Sequence, residues 1–466
     1  MTQIIGVDVG GTFTDLISFD VNSDTVRIAK VLSTPENQAF GVMKALETAE
    51  TNLPSVETLI HGTTVTTNAL LERKISRVGL ITTKGFRDVL ELGRRTRPKP
   101  YGMTGIFECI IPREFRLEVK ERIDSDGEII EPLNKNDVTK AIKQLVENGI
   151  ESLVIHFLHS YKNDIHEQIA SDIAKDLWPN SFITRGSELV TEFREYERGT
   201  TAAINAAIQP VLHNYIQRLQ QQLKEDKYSK DLLVMQGNGG TVSSSIVSDE
   251  AVKTVMSGPA SGVMAAAYTS TQCGFGHVVT YDMGGTSCDV GLIVDGIPQV
   301  TSELEIEYAM PIHVPMVDVH TIGAGGGSLA WVNDAGLLQV GPESAGAQPG
   351  PICYGRGGTK PTITDANLIL GRLNPESLLS VENPVSIETV QNKVIDDVGR
   401  DLGFKGMEET ASAIIRIANM NMAGALRMVS LARGYDPRDF VLFAFGGAGP
   451  LHAVSLAAEL GIPKVL

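Results

Sequence analysis

The sequence predicts an α/β fold with mixed sheets, made of two copies of one half-fold, and three observations carry that prediction. The first is a repeat. Ile4-Ile5-Gly6-Val7 leads into Asp8-Val9-Gly10-Gly11-Thr12-Phe13-Thr14-Asp15, and Val278-Val279-Thr280-Tyr281 leads into Asp282-Met283-Gly284-Gly285-Thr286-Ser287-Cys288-Asp289. Each copy is followed by a second apolar run, so each reads as a β-hairpin with a glycine turn at its tip. The second is alternation: apolar runs of strand length alternate with segments of helical period, which argues for α/β layers, while the hairpins make the sheets mixed. The third is size and composition. The 466 residues are 42% hydrophobic and 21% charged, as in a globular protein with a sizeable core. Length alone allows about three domains; the repeat divides the chain into halves at 1–190 and 191–466.

In chain order, residues 25–31 continue the first hairpin as a third strand. Pro35-Glu36 opens a helix to Thr51, with Phe40, Met43, Leu46 and Ala49 on its apolar face. A short strand at 58–60 ends in His61-Gly62-Thr63-Thr64, and a helix follows over 65–72. Residues 78–81 form a strand with a helix near 86–92, and the basic loop from Arg94 to Pro100, with Arg94, Arg95 and Arg97, interrupts the pattern. A hairpin at 121–132 turns at Asp126-Gly127. Helix 135–148, strand 152–157 and helix 164–177 resume the alternation. A long helical pattern over 192–224 reads as the link between the halves. Strand 232–235 follows, and Ser257-Gly258-Pro259 caps the helix before the second hairpin. Residues 321–364 read as one long irregular stretch, of a length usually reserved for function. Helices resume at 386–398 and 408–433. Strand 440–445 then enters Gly446-Gly447-Ala448-Gly449 and a last helix.

The hairpin turns carry the chemistry. Paired glycines let backbone N–H groups close on an anion, and a threonine hydroxyl adds a donor. The aspartate at the end of the first strand aims a carboxylate at the same place, as a Mg²⁺-bound phosphate requires. One such turn reads equally well as a tight hairpin. Two, far apart, imply turns that face each other across a cleft, as in a nucleotide clamp. Asp8 and Asp282 are thus the expected catalytic and Mg²⁺-side carboxylates. Gly10, Gly11, Thr12, Thr14, Asp15, Gly284, Gly285 and Thr286 are the expected phosphate-binding residues.

Other candidates have two readings each. Gly323, Gly325 and Gly326 belong to a ligand loop or to a merely flexible one. His61, Thr63, Thr64 and Asn68 sit at a strand-to-helix junction, where they bind a polar substrate group or form a capping network. Arg94, Arg95 and Arg97 meet an acidic substrate or a partner subunit, or are simply solvated. His156 and His159 fall on opposite faces of a strand, so they make poor joint metal ligands.

Composition excludes several classes. The formal net charge of −16 argues against a nucleic-acid partner. The four cysteines, Cys109, Cys273, Cys288 and Cys353, form no C-x-x-C pair, which fits a reducing compartment. No apolar run reaches the length of a membrane span, and Met1-Thr2-Gln3 runs straight into the first strand, so a cytoplasmic location is expected.

Taken together, residues 6–15, His61 through Leu70, Gly85-Phe86-Arg87-Asp88, Tyr196-Glu197-Arg198, residues 282–289, 322–328 and 445–452 resemble the hydantoinase A/5-oxoprolinase family, which includes acetone carboxylase subunits. The resemblance covers nearly the whole chain. It implies the superfold of actin, Hsp70 and the sugar kinases, in which two ribonuclease-H-like ATPase domains enclose ATP and Mg²⁺. Residues 1–190 then correspond to the N-terminal ATPase half and 191–466 to the second. Gly446, Gly447 and Gly449 match the superfold's adenosine motif. The implied activity is ATP-dependent phosphorylation of a cyclic imide or lactam, hydantoin or 5-oxoproline, ahead of ring opening with a B-type subunit. The alternatives are an ATP-dependent ketone carboxylase subunit and a nucleotide-switched binding protein of actin or Hsp70 type. Family members usually continue past the position of Leu466, and the apolar strand start Val465-Leu466 is where further chain is expected to pack.

Overall fold

The computed structural model describes residues 3–10, 13–34, 37–94, 96, 101–102, 108–307, 309–346, 348–376, 378, 381 and 384–466. Gly11, Thr12, Arg95 and Arg97 lie outside the described residues. Two compact units divide the chain: Met1–Gly258 with Thr301–Met316, and Pro259–Val300 with Val317–Leu466.

Unit 1 starts from the first hairpin. Strand β1 (Gln3–Val9) pairs antiparallel with β2 (Phe13–Asp20), and β3 (Thr25–Leu32) extends the meander. Period-2 alternation sorts the side chains: Ile5, Val7, Val9, Thr14 and Leu16 are buried on the core side. Helix α1 (Gln38–Thr48), capped by Asn37, packs there through Ala39, Val42, Ala45 and Leu46. The expected apolar face is rotated, because Phe40 is exposed and small residues lie against the sheet. Strand β4 (Val56–Thr63) runs parallel to β1 and leads into α2 (Val65–Leu71).

A second sheet in this unit is entirely parallel. Its strands are β5 (Val78–Thr83), β6 (Arg116–Val119), β7 (Ser152–His156) and β8 (Ile183–Arg185), in the order β8-β7-β5-β6. Helices α3 (Lys135–Glu147) and α4 (Ile165–Leu177) cover it with Val138, Ile142, Ala170 and Ala174. The long α5 (Glu195–Glu225) is no exposed link: Ile204, Ile208 and Leu212 are fully buried in the core beneath the first sheet. Strands β9 (Leu232–Met235) and β10 (Thr241–Ser243) complete that sheet as β10-β9-β4-β1-β2-β3.

Unit 2 repeats the plan. After α6 (Ser257–Gln272), β11 (Val278–Met283) pairs antiparallel with β12 (Cys288–Val294), and β13 (Ile297–Pro298) adds the third strand. The stretch at 321–364 is only partly irregular. It begins in β14 (Val319–Ile322), antiparallel to β12, and holds the hairpin of β15 (Ser328–Val332) and β16 (Leu338–Ser344) before α7 (Ile363–Ile369). Glycine and proline at its turns disguise these strands in the sequence. Helix α8 (Met407–Leu431) fills the core with Ile414, Met422 and Leu426. Strand β17 (Val441–Phe445) runs parallel to β11 and enters α9 (Gly449–Leu460).

The two hairpin sheets thus share a connectivity: an antiparallel first pair, a third meander strand, then a strand parallel to the first that feeds a helix. In unit 1 β9 lies parallel beside β4. In unit 2 the same place is taken by Lys464–Leu466, with Val465 bridged in parallel to Leu442 and the Leu466 N–H donating to the Leu442 carbonyl at 2.8 Å. The expected strand start is therefore paired. No helix among the described residues is long and apolar enough to cross a membrane.

Candidate functional site

Each hairpin builds a half-site by the same rules. In unit 1 Asp8 stands directly across the ladder from Asp15, so both carboxylates occupy one face, opposite to the core. The turn closes through the Gly10 N–H to the Phe13 carbonyl at 3.0 Å. Two hydroxyls brace it: Ser33 Oγ donates to the Gly10 carbonyl at 2.8 Å and Thr64 Oγ1 to the Val9 carbonyl at 3.1 Å. Gly62 on β4 sits beside Asp8, and a Cβ there would lie 2.7 Å from Asp8 Oδ1. The missing side chain is the space the carboxylate occupies. Lys30, across from Asp15 on β3, donates to both Asp15 oxygens at 2.7 and 2.8 Å. Asp8 reaches solvent, yet its carboxyl is held above the ordinary aspartate value. The protein crowding it is the first cause and the Asp15 charge the second, with Lys30 opposing.

In unit 2 Asp282 faces Asp289 across the ladder in the same way. The Gly284 N–H closes the turn on the Ser287 carbonyl at 3.0 Å, and Gly285 and Thr286 are exposed, their backbone N–H groups without partners among the described residues. Gly446 has φ +80°, a conformation that disfavours side chains, and a Cβ there would collide with Asp282 Oδ1 and the Met283 backbone. It plays the part that Gly62 plays in unit 1. Gly447 is exposed with nothing within 4 Å of a Cβ, an open place for a flat ligand group. Gly449 is buried in the first turn of α9. Where unit 1 has a lysine, unit 2 has Thr321, whose hydroxyl donates to Asp289 Oδ1 at 2.5 Å. Burial raises the Asp289 carboxyl, and this hydrogen bond partly offsets the rise.

Several sequence expectations change. Thr14 does not reach the turn: it alternates with Asp15, is fully buried, and its Oγ1 lies 3.1 Å from Ser33 Oγ. Asp15 is held by Lys30 instead of standing ready for a phosphate. Gly325 and Gly326 spend their N–H groups on Ser328 Oγ at 2.9 Å and the Gly284 carbonyl at 3.0 Å, so those donors support the turn. Gly323, exposed, packs by Pro342. His61 is a sealed core residue. Its Nε2 meets the Tyr215 hydroxyl at 2.8 Å, and burial pushes its pKa down to about 4. Thr63 Oγ1 accepts from the Val65 N–H at 3.2 Å, and Asn68 Nδ2 donates to Thr64 Oγ1 at 3.3 Å. Thr63, Thr64 and Asn68 thus make local contacts at the strand-to-helix junction, while His61 lies in the core. Arg94 is consumed by Glu197 at 2.8 Å and Glu303 at 2.5 Å. Sequence reasoning missed the roles of Gly62, Lys30 and Thr321; register across neighbouring strands, which one strand read alone lacks, is the signal that finds them.

Among the described residues no group of three or more His, Cys, Asp or Glu side chains is arranged to hold a metal. Mg²⁺ needs no such cage. It takes one or two carboxylates, with phosphate oxygens and water for the rest; the Asp282 carboxylate beside the exposed Gly284-Gly285 turn fits that demand, as does the solvent-reaching Asp8 carboxylate in its own unit.

Comparison with known proteins gives a consistent result. A family profile described as Hydantoinase/oxoprolinase matches residues 198–466, and one described as Hydantoinase/oxoprolinase N-terminal region matches 4–178. An uncharacterized protein of Methanocaldococcus jannaschii is 42% identical over 99% of this chain and 70% of its own length. Caprolactamase subunit alpha of Pseudomonas jessenii is 37% identical over 99% of this chain and 68% of its own. The 5-oxoprolinase of Saccharomyces cerevisiae is 33% identical over 99% of this chain, which spans 39% of it. Among solved structures, the ATP-dependent caprolactamase of P. jessenii superposes with TM-score 0.86 at 36% identity, covering 100% of this chain and 68% of that one. Nucleotide-free acetone carboxylase gives TM-score 0.84 at 27% identity, covering 99% and 68%. The repeated hairpin half-site therefore stands in a known setting, and the chain belongs to the hydantoinase/oxoprolinase family.

Proposed function

We propose that this chain is the ATP-using component of an enzyme that phosphorylates the amide oxygen of a cyclic imide or lactam before the ring is opened. The observation that carries the reading is the unit 2 turn: N–H groups on Gly285 and Thr286 without partners among the described residues, a carboxylate at Asp282, and an open glycine surface at Gly447. Preorganised backbone donors of this kind stabilise charge on a transferring phosphoryl group. Asp282 in its half-site and Asp8 in its own are the carboxylates that would take Mg²⁺, which when bound neutralises phosphate charge. Thr286 supplies a hydroxyl donor at the turn.

The chemistry follows from amide resonance, which makes the ring carbonyl a poor electrophile. The amide oxygen forms a bond to the γ-phosphorus, the bond from that phosphorus to ADP breaks, and the ring nitrogen loses its proton. Water adds to the carbon of the resulting imidyl phosphate, the C–N bond breaks as the ring nitrogen takes up a proton, and a second water hydrolyses the acyl phosphate left behind to a carboxylate and inorganic phosphate. The caprolactamase and 5-oxoprolinase relatives support a cyclic amide as substrate. The acetone carboxylase relative supports a second reading, in which a ketone enolate or bicarbonate receives the phosphoryl group. Several relatives are named as subunits, which supports a second polypeptide that receives the intermediate.

The test is phosphate release from ATP, screened with hydantoin, 5-oxoproline, caprolactam and simple ketones, with and without a co-expressed B-type subunit. Release stimulated by a cyclic amide and matched by ring opening is expected. Stimulation only by ketone with bicarbonate selects the carboxylase. Stimulation only by a protein or peptide selects a nucleotide switch and overturns the proposal.

A further inference from the structure

Unit 2 holds a second polar site, away from the hairpin turn. His452, in the first turn of α9, is fully buried. Its Nδ1 lies 2.7 Å from Asn419 Oδ1 and its Nε2 lies 3.2 Å from Asn367 Nδ2, while Arg372 Nη1 donates to Asn367 Oδ1 at 3.2 Å. An amide oxygen only accepts and an amide nitrogen only donates, so Nδ1 carries the proton and Nε2 accepts. The chain from Arg372 through Asn367 and His452 to Asn419 has one consistent direction. Burial, aided by the Arg372 charge, keeps the imidazole neutral, with its pKa down at about 4.

This order leaves both ends of the chain as donors. Asn419 has its Nδ2 hydrogens free of His452, and Arg372 keeps its remaining guanidinium N–H groups. Both residues line one cavity of about 260 Å³, together with Ser412 and Arg416 from α8 and Ser455 and Glu459 from α9. Ser412, Arg416 and Asn419 share a helix face at spacings of four and three, as Ser455 and Glu459 do at four. Among the described residues neither arginine makes an ion pair, and neither does the Glu459 carboxylate. Arg372, Arg416 and Glu459 are all exposed, and two guanidinium charges against one carboxylate leave a net positive charge that a bound anion balances.

We propose that this cavity binds a small oxyanion, a carboxylate or a phosphoryl group, between Arg372 and Arg416, with Asn419 and the two serines as further donors. Planar guanidinium groups match such oxyanions with paired hydrogen bonds. Glu459 in the same cavity disfavours a second negative charge, so a carboxylate monoanion binds better than a phosphate dianion. A ligand here ties α9, the helix that begins at the Gly446–Gly449 turn, to α8.

The test is calorimetric titration of the chain with glutarate monomethyl ester and, separately, with inorganic phosphate. Millimolar binding of the carboxylate is expected, weakened at least tenfold in Arg416→Gln. Arg416 is exposed, lies outside the hairpin turns and has no ion-pair partner to lose among the described residues, so that loss locates the ligand in this cavity. Glu459→Gln should strengthen phosphate binding. Binding of phosphate but not carboxylate, lost in Arg416→Gln, identifies a phosphoryl ligand and keeps the site. Absence of binding by both probes, or binding unchanged in Arg416→Gln at an unchanged melting temperature, overturns the proposal.

Discussion

Gly62→Ala is the most discriminating perturbation of the proposed chemistry, because it moves one carboxylate and nothing else. The added Cβ would stand 2.7 Å from Asp8 Oδ1, with the nearest Asp8 backbone atom at 3.8 Å. The backbone is spared, and Gly62 has no left-handed φ, so alanine brings no conformational strain. Relief requires the carboxylate to shift by roughly 0.7 Å to reach ordinary contact. Turning χ1 off its well costs about 0.5–1.5 kcal/mol, which bounds the loss of stability. Misplacing a reacting group by about 1 Å costs on the order of 100-fold in rate. Gly62→Ala should therefore melt within a few degrees of the parent while ATP turnover falls by roughly 10- to 100-fold. Calorimetric melting and steady-state phosphate release, measured on one preparation, give both numbers. Turnover within twofold of the parent would refute the claim that Asp8 acts from the position Gly62 reserves.

Asp282→Asn and Asp8→Asn should each abolish turnover with little change in melting, because each replaces a carboxylate by an amide of the same shape near a strand end; wild-type turnover at saturating Mg²⁺ in either variant would exclude that half-site from the chemistry. Gly446→Ala should be more damaging than Gly62→Ala, since it adds backbone strain of about 1–2 kcal/mol to a collision with Asp282 and the Met283 backbone; equal melting temperatures for the two variants would contradict this. Lys30→Met should cost less than about 1 kcal/mol by urea denaturation, as both partners are well exposed. Acid should destabilise both units through His61 and His452. Each has a folded pKa of about 4, below its unfolded value near 6.5, so the unfolded chain binds more protons and stability is lost as pH falls between these values. The limit is about 3 kcal/mol for each, and His61→Gln should flatten the acid limb of the melting-temperature profile; an unchanged slope would show that His61 is not held neutral.

The hairpins, most helices and the repeat were legible because period and turn chemistry are local. What was illegible depended on neighbours. Thr14 and Asp15 are adjacent in a strand and cannot face the same way, so only one of them could serve the turn; the choice was decided by which face met α1. Phe40 is more apolar than Ala39, yet alanine lies against the sheet because the helix approaches closely. The glycines at 325–327 announce close packing without saying what approaches. Here it is the carbonyls of Gly284 and Gly285. His61 carries a reactive imidazole, and only burial against α5 reveals that it is a core residue.

The two half-sites share a plan but differ in charge. An Asp-x-Gly-Gly-Thr-x-x-Asp hairpin necessarily sets two carboxylates opposite each other, which repel unless something positive joins them. Unit 1 answers with a covalently attached cation: Lys30 holds Asp15 by both oxygens and leaves Asp8 alone at the turn. Unit 2 answers at the same register with a neutral hydroxyl, Thr321. The unit 2 pair thus keeps more of its demand for a mobile cation, while the unit 1 pair has met half of its own. On this reading Thr321→Lys would satisfy unit 2 internally, and the chain should then require less Mg²⁺ for folding stability and lose nucleotide turnover. Chemical denaturation at 0 and 10 mM Mg²⁺ tests the first part. A parent protein whose stability ignores Mg²⁺, or a Thr321→Lys variant that still gains from it as the parent does, would show that the charge difference is not what assigns the cation.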